Sequence, residues 1–200
     1  GEHRQTGLVA AASVEAYDQD RIKKHEFTRP KKEDDRVRQI EALSAQTGPV
    51  FLVYPSNEVV DSTLARVSAG TPDMDVTAAD GVRHEVWVVS DAETVATLTR
   101  AFDAMDALYV ADGHHRSAAA SRVAASGKAA NTSRSGEEDY NYFLSVIFPH
   151  KQMQILDYNR VVRDLNGLDQ DSFLQKVAAN FSMEQSDTPF KPASTAEFGM

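Results

Sequence analysis

The residues with the most chemistry in reach stand together at Asp112-Gly113-His114-His115-Arg116. Histidine and arginine donate hydrogen bonds to anions, and arginine can grip a phosphate through two parallel bonds. Ahead of them runs the apolar stretch Ala107-Leu108-Tyr109-Val110-Ala111, and behind them the small-residue stretch Ser117 to Val123. A strand, a glycine turn and a helix start form the layout of an anion site. The first N–H groups of a helix lack partners within it, and its dipole favours negative charge there. Gly113 lets the backbone bend and approach a ligand closely. A plainer reading of the same spacing has Asp112 capping the helix and the histidines exposed. Metal binding by His114 and His115 is the weaker alternative. Adjacent helical residues point about 100° apart, whereas paired ligands share one face.

A second concentration of polar chemistry lies upstream, from Lys23-Lys24-His25-Glu26-Phe27-Thr28 to Lys32-Glu33-Asp34-Asp35-Arg36. Thr28 can cap a helix with Pro30 in its first turn, and Glu33, Asp34 and Asp35 suit the positive end of its dipole. A charge run of this kind is commonly a solvated face. Glu26, however, falls at a turn beside Phe27, where a carboxylate can serve as a general base or hold a divalent metal with Asp34. His84, beside Trp87 in a strand-like run, reads as structural, and His150 after Pro149 as a turn residue.

The elements that must position these groups follow from periodicity. Gly7 to Val14 and Pro49 to Tyr54 are short apolar runs suited to buried strands. Ala16 to Arg21 is a polar turn or short helix. The helix opened at Thr28 is expected to run to about Gln46, burying Val37, Ile40, Leu43 and Ser44 and ending at Gly48. Val59 to Val67 has helix spacing, and Gly70 to Asp73 breaks it. Thr71 to Asp80 reads as a loop or edge strand, and Gly81 to Val89 as a strand. Ser90-Asp91 caps a helix to Asp103 with Val95, Leu98 and Phe102 as its stripe. The helix after Gly113 is expected to end at Ser126-Gly127, with Lys128 to Glu138 a loop. Tyr140 to Phe148 is the strongest strand signal, stopped by Pro149. Gln154 to Val162 reads as a further strand, Ser172 to Phe181 as a helix entered from Asp169 to Asp171, and Asp187 onward as an irregular tail.

Composition narrows the classes. The chain of 200 residues has no cysteine, which excludes disulfides, thiolate metal sites and cysteine nucleophiles. A formal net charge of −9 repels nucleic acid and argues against a general DNA binder. No apolar run has the length of a membrane span, and no signal-peptide pattern opens the chain. Gly-x-Ser-x-Gly, Walker-type and dinucleotide fingerprints are all missing. The start at Gly1-Glu2 and the end at Gly199-Met200 read as those of a piece cut from a longer protein.

Val110-Ala111-Asp112-Gly113-His114-His115-Arg116-Ser117-Ala118-Ala119 resembles the signature of a large bacterial and archaeal family, the domain of unknown function numbered 1015. Lys23 to Thr28 through Lys32 to Arg36 resembles that family's other marked block. The likeness covers Gly7 to Val162 at least. The family is similar in turn to the ParB/sulfiredoxin-like group, which includes free-serine kinases of the SerK type. The resemblance implies that Gly113, His114, His115 and Arg116 cradle nucleotide phosphates, while Asp112 orients the motif or contacts metal or substrate. It implies Glu26 as base toward an acceptor hydroxyl, with Glu33 and Asp34 as rivals. His25, Thr28 and Arg36 join Glu33 and Asp34 as candidate contacts to substrate or metal. ATP or ADP with Mg²⁺ would be the cofactors. Sulfiredoxin's own reaction needs a cysteine that is missing here, and no helix-turn-helix pattern of the ParB kind follows Val123.

The expectation is a single α/β (α+β) domain with a mixed sheet flanked by helices and a ParB/sulfiredoxin-like core. It would act in the cytoplasm on a small molecule, without membrane or nucleic-acid partners, transferring a phosphoryl group to a hydroxylated metabolite such as serine. The alternatives are a nucleotide-responsive binding protein without turnover, and a nucleotide or phosphoester hydrolase.

Overall fold

The computed structural model describes residues 2–200, which divide into two compact units, one up to Gln154 and one from Ile155 to Met200. In the first, the elements in chain order are β1 (Leu8–Ser13), α1 (Val14–Asp18), β2 (Ile22–Lys23), α2 (Pro30–Leu43), β3 (Val50–Tyr54), α3 (Glu58–Ser68), β4 (Met74–Thr77), β5 (Arg83–Val86), α4 (Ala92–Asp103), β6 (Leu108–Asp112), α5 (His114–Ala130) and β7 (Tyr142–Pro149). The second holds α6 (Gln170–Ala178).

Strict alternation in β7 buries Phe143, Ser145 and Ile147 on one face, and Val50, Leu52 and Tyr54 of β3 do the same beside them. These faces join in a five-stranded mixed sheet of order β1-β7-β3-β6-β2. β7 runs antiparallel to β1 and parallel to β3, while β6 runs antiparallel to β3 and parallel to β2. The fold is therefore α/β with a mixed sheet. The core gathers Val14, Tyr17 and Ile22 with Val60, Leu64 and Leu98 of α3 and α4 and Ala120 and Ala124 of α5. Ser145 sits among them because its hydroxyl donates to the Ala10 carbonyl at 2.9 Å. Asp91 caps α4 through the Thr94 N–H at 2.8 Å.

Several expectations need correction. Thr28 does not cap α2. Arg29 holds that position without a side-chain bond, and Pro30 occupies the first turn. No residue of α2 is buried, Leu43 is 54% exposed, and the helix ends at Leu43, with Ser44 left-handed, rather than at Gly48. Gly127 does not stop α5, which runs to Ala130. A Cβ on Gly127 would lie 2.7 Å from the Tyr140 ring, so its role is close packing. Thr71 to Val89 forms an exposed two-stranded hairpin, in which only Arg83–Val86 of the expected second strand pairs, with Met74–Thr77. Val95 of α4 is 45% exposed rather than part of its buried stripe.

Gln154 to Val162, which begins on the last residue of the first unit, forms no strand. Asp169 caps α6 through the Ser172 N–H at 2.8 Å, and Phe181 and Phe198 meet edge to face at 5.7 Å. Among the described residues no helix is long and apolar enough to cross a membrane.

Candidate functional site

β6 delivers Asp112 to the end of the sheet, and Gly113 turns the chain into α5. Gly113 has φ 100°, a left-handed conformation that a side chain resists. A Cβ there would also stand 3.0 Å from two nitrogens of the Arg116 guanidinium and 3.3 Å from the Val50 Cα. The Gly113 carbonyl accepts the N–H groups of Arg116 at 2.8 Å and Ser117 at 3.0 Å. No side chain caps the helix, so its first N–H groups keep their capacity for an anion. Asp112 does not cap it either. Its carboxylate accepts from an Arg116 terminal nitrogen at 2.7 Å, while the buried Arg116 Nε has no partner.

The small residues of α5 let it lie close to the sheet, with Ser117, Ala120 and Ala124 buried along one stripe. The helix thereby carries His114 and His115 to the segment between β2 and α2, and the two sequence blocks meet. The His25 N–H points to Nε2 of His114 at 3.5 Å, and the Arg29 N–H donates to Nε2 of His115 at 3.1 Å. An imidazole nitrogen that accepts an N–H carries no proton, so in each ring the proton resides on Nδ1. Nδ1 of His114 faces the Glu26 carboxylate at 3.6 Å. The two rings diverge along α5 and pin two points of the segment that holds Glu26. They act as acceptors toward the protein itself.

Electrostatics agrees with that role for His114. Burial, and next the nearby His25, hold its pKa below the ordinary imidazole value, against the upward pull of Glu26 and Asp112; His115 pushes it down further. Its ring is 3% exposed and meets the His25 ring edge to face at 4.5 Å. Glu26, at 60% exposure, keeps its carboxylate open to a ligand.

The rest of the acidic block closes the arrangement. The Thr28 hydroxyl donates to Glu33. Arg122, two turns beyond His115 on α5, reaches Glu33 at 3.4 Å and Asp34 at 2.9 Å. Glu33 and Asp34 thus tie α2 to α5. Arg36 lies apart from this cluster and bonds Gln39 at 2.7 Å. Sequence reasoning missed Arg122, although its spacing of seven residues from His115, two turns along the same helix face, was visible. It also missed Tyr17, a core residue near Ser117 whose hydroxyl burial pushes up in pKa. Among the described residues, no three His, Asp or Glu side chains converge as ligands for a metal ion. A cavity of about 1680 Å³ opens beside β1 and β5, but none of the corner residues lines it.

Strand, left-handed glycine, uncapped helix, arginine and carboxylate together make a corner able to seat an anion and accept a proton beside it. No curated protein and no solved structure matches the chain significantly. Its sequence from residue 1 to residue 200 matches the family described as "Protein of unknown function (DUF1015)", and the chain belongs to that family.

Proposed function

We propose that the corner at Gly113–Arg116 binds the phosphates of a nucleotide, and that Glu26 serves as general base toward a small hydroxylated acceptor such as free serine. The observation that carries this reading is the Glu26 carboxylate standing 3.6 Å from His114 in the first turn of α5, although the two lie far apart in sequence. A base must sit within reach of the proton it takes, and the pinned segment keeps Glu26 beside the uncapped helix start. The acceptor oxygen would form a bond to the terminal phosphorus as the bond to the nucleotide's bridging oxygen breaks. Glu26 would take the hydroxyl proton, and the shortened nucleotide would leave.

The chain's own groups fit the phosphates. Gly113 offers a cradle that a Cβ would fill, and the buried Arg116 Nε lacks a partner. Gly113–His115 N–H groups and the guanidinium would hold them, with Asp112 orienting Arg116. Mg²⁺ arriving with the nucleotide would supply charge neutralisation, and the exposed carboxylates of Glu26 and Asp112 are the groups available to it. A cytoplasmic setting and a ParB/sulfiredoxin-like core belong to the same proposal.

One observation favours a second reading, a nucleotide-responsive switch without turnover. Asp112 already engages Arg116 at 2.7 Å, so an incoming phosphate competes for that guanidinium and alters the pair. Purified protein offered nucleotides and amino acids, with nucleotide loss and phosphorylated product both followed, separates the two. The kinase reading expects product from the wild type, and from Glu26→Gln a loss of roughly 100-fold or more in turnover with nucleotide affinity retained. Saturable nucleotide binding with no product from the wild type would select the switch.

A further inference from the structure

We infer that Phe27 and the cations following it form a platform for a nucleobase and its outer phosphates, so that the corner's ligand is a nucleoside polyphosphate rather than a bare phosphate ester. The inference rests on the phosphate-binding reading above. Phe27 is 100% exposed, the most complete exposure of any large apolar side chain in the first unit. Its segment is held on both sides, by the His25 and Arg29 N–H contacts to the histidine rings and by Thr28 on Glu33. On this pinned segment the ring is presented to solvent beside Glu26.

The charges around it divide into two groups. Lys23 is tied to Asp20 at 2.9 Å, and Lys24 donates to the Tyr17 carbonyl at 3.0 Å and lies over its ring. Arg29, Lys31 and Lys32 are exposed, and among the described residues none of them has a carboxylate partner. In a chain of net charge −9, three unpaired cations within five residues of an unpartnered aromatic side chain suit a ligand that is flat at one end and polyanionic at the other. Inorganic phosphate would use the corner alone.

Titration calorimetry of the full chain with ATP and with inorganic tripolyphosphate tests this. Phe27→Ala should weaken ATP binding roughly tenfold, the scale of one base–aromatic stack, and leave tripolyphosphate binding unchanged. Phe27→Trp should restore ATP affinity, and Lys31→Ala with Lys32→Ala should weaken both ligands. Since Phe27 touches nothing, its loss leaves the fold intact. Equal ATP affinity in wild type and Phe27→Ala would overturn the platform while leaving the corner standing. A wild type that binds neither ligand would overturn both. Loss of binding to phosphatidylserine vesicles in Phe27→Ala, with ATP affinity untouched, would assign the surface to a membrane and overturn the nucleotide platform.

Discussion

His114 shows how far the surroundings of a side chain decide its chemistry. Histidine at a helix start invites the role of cationic donor, yet here the ring is buried and its Nε2 receives a backbone N–H. Its value to the site is as a neutral acceptor, and that has a pH signature. The folded pKa is held below the ordinary value of about 6.5, so on acidification the unfolded chain binds this proton first. The stabilisation is complete above about pH 6.5 and drains away as pH falls through the lower folded value. The groups facing the ring are His25, Glu26, Asp112 and His115, and the carboxylates temper the effect without reversing it. Urea unfolding at pH 7.5 and pH 5.5 should therefore cost the wild type more stability than His114→Gln, which keeps a side-chain acceptor but cannot titrate. Equal losses in the two proteins would move the acid sensitivity to another group.

At the scale of elements, α5 is the piece on which everything converges, and its packing makes a prediction against propensity. Exposed helical glycine replaced by alanine gains roughly 1 kcal/mol. At Gly127 the added carbon meets the Tyr140 ring at 2.7 Å, with the ring's Cγ at 2.9 Å, so the ring as a whole must move. Gly127→Ala should accordingly destabilise by about 1–3 kcal/mol in chemical denaturation. A gain in stability would show that Tyr140 moves away freely. The same helix explains what sequence could and could not reveal. Strand, glycine and helix start at Leu108 to Ser117 were legible because each depends on local chemistry: an apolar run, a left-handed turn, small residues. β7 was legible because its alternation is unbroken. The stripe of α2 was not. Val37, Ile40 and Leu43 have helix spacing, but burial depends on what lies opposite: Val37 and Ile40 are half-buried, Leu43 is exposed, and Glu33 and Asp34 of α2 meet Arg122 of α5. Gly127 misled for a related reason, since a helix stop and a close contact use the same residue. Of the site, the two blocks were visible as separate pieces. Their joining through ring nitrogens was not, because the partner of a histidine nitrogen is a matter of tertiary placement. The strand expected over Gln154 to Val162 failed because Ile155, Tyr158 and Val161 are apolar without a partner strand, and they stand 90%, 86% and 96% exposed.

For the whole molecule, the division at Gln154 places the candidate site. The five-stranded sheet, every residue of the buried core and both halves of the candidate site belong to the unit that ends there. Its start and end are themselves fastened together, the Thr6 N–H donating to the Gln152 side chain at 2.6 Å. From Ile155 onward the chain has α6 as its one regular element, and no residue of that helix is buried. A core that closes on itself unfolds cooperatively, whereas a segment without buried apolar area adds little to that transition. A chain stopped after Gln154 should keep a single thermal transition and the near-UV signal of packed aromatic residues. It should also bind tripolyphosphate as the full chain does, because Gly113, Arg116 and the segment pinned by the two histidines are all retained. Loss of the near-UV signal with helix content preserved would mean that the first unit collapses to a loosely packed state without the second. Retained packing with lost affinity would give residues beyond Gln154 a place in the site.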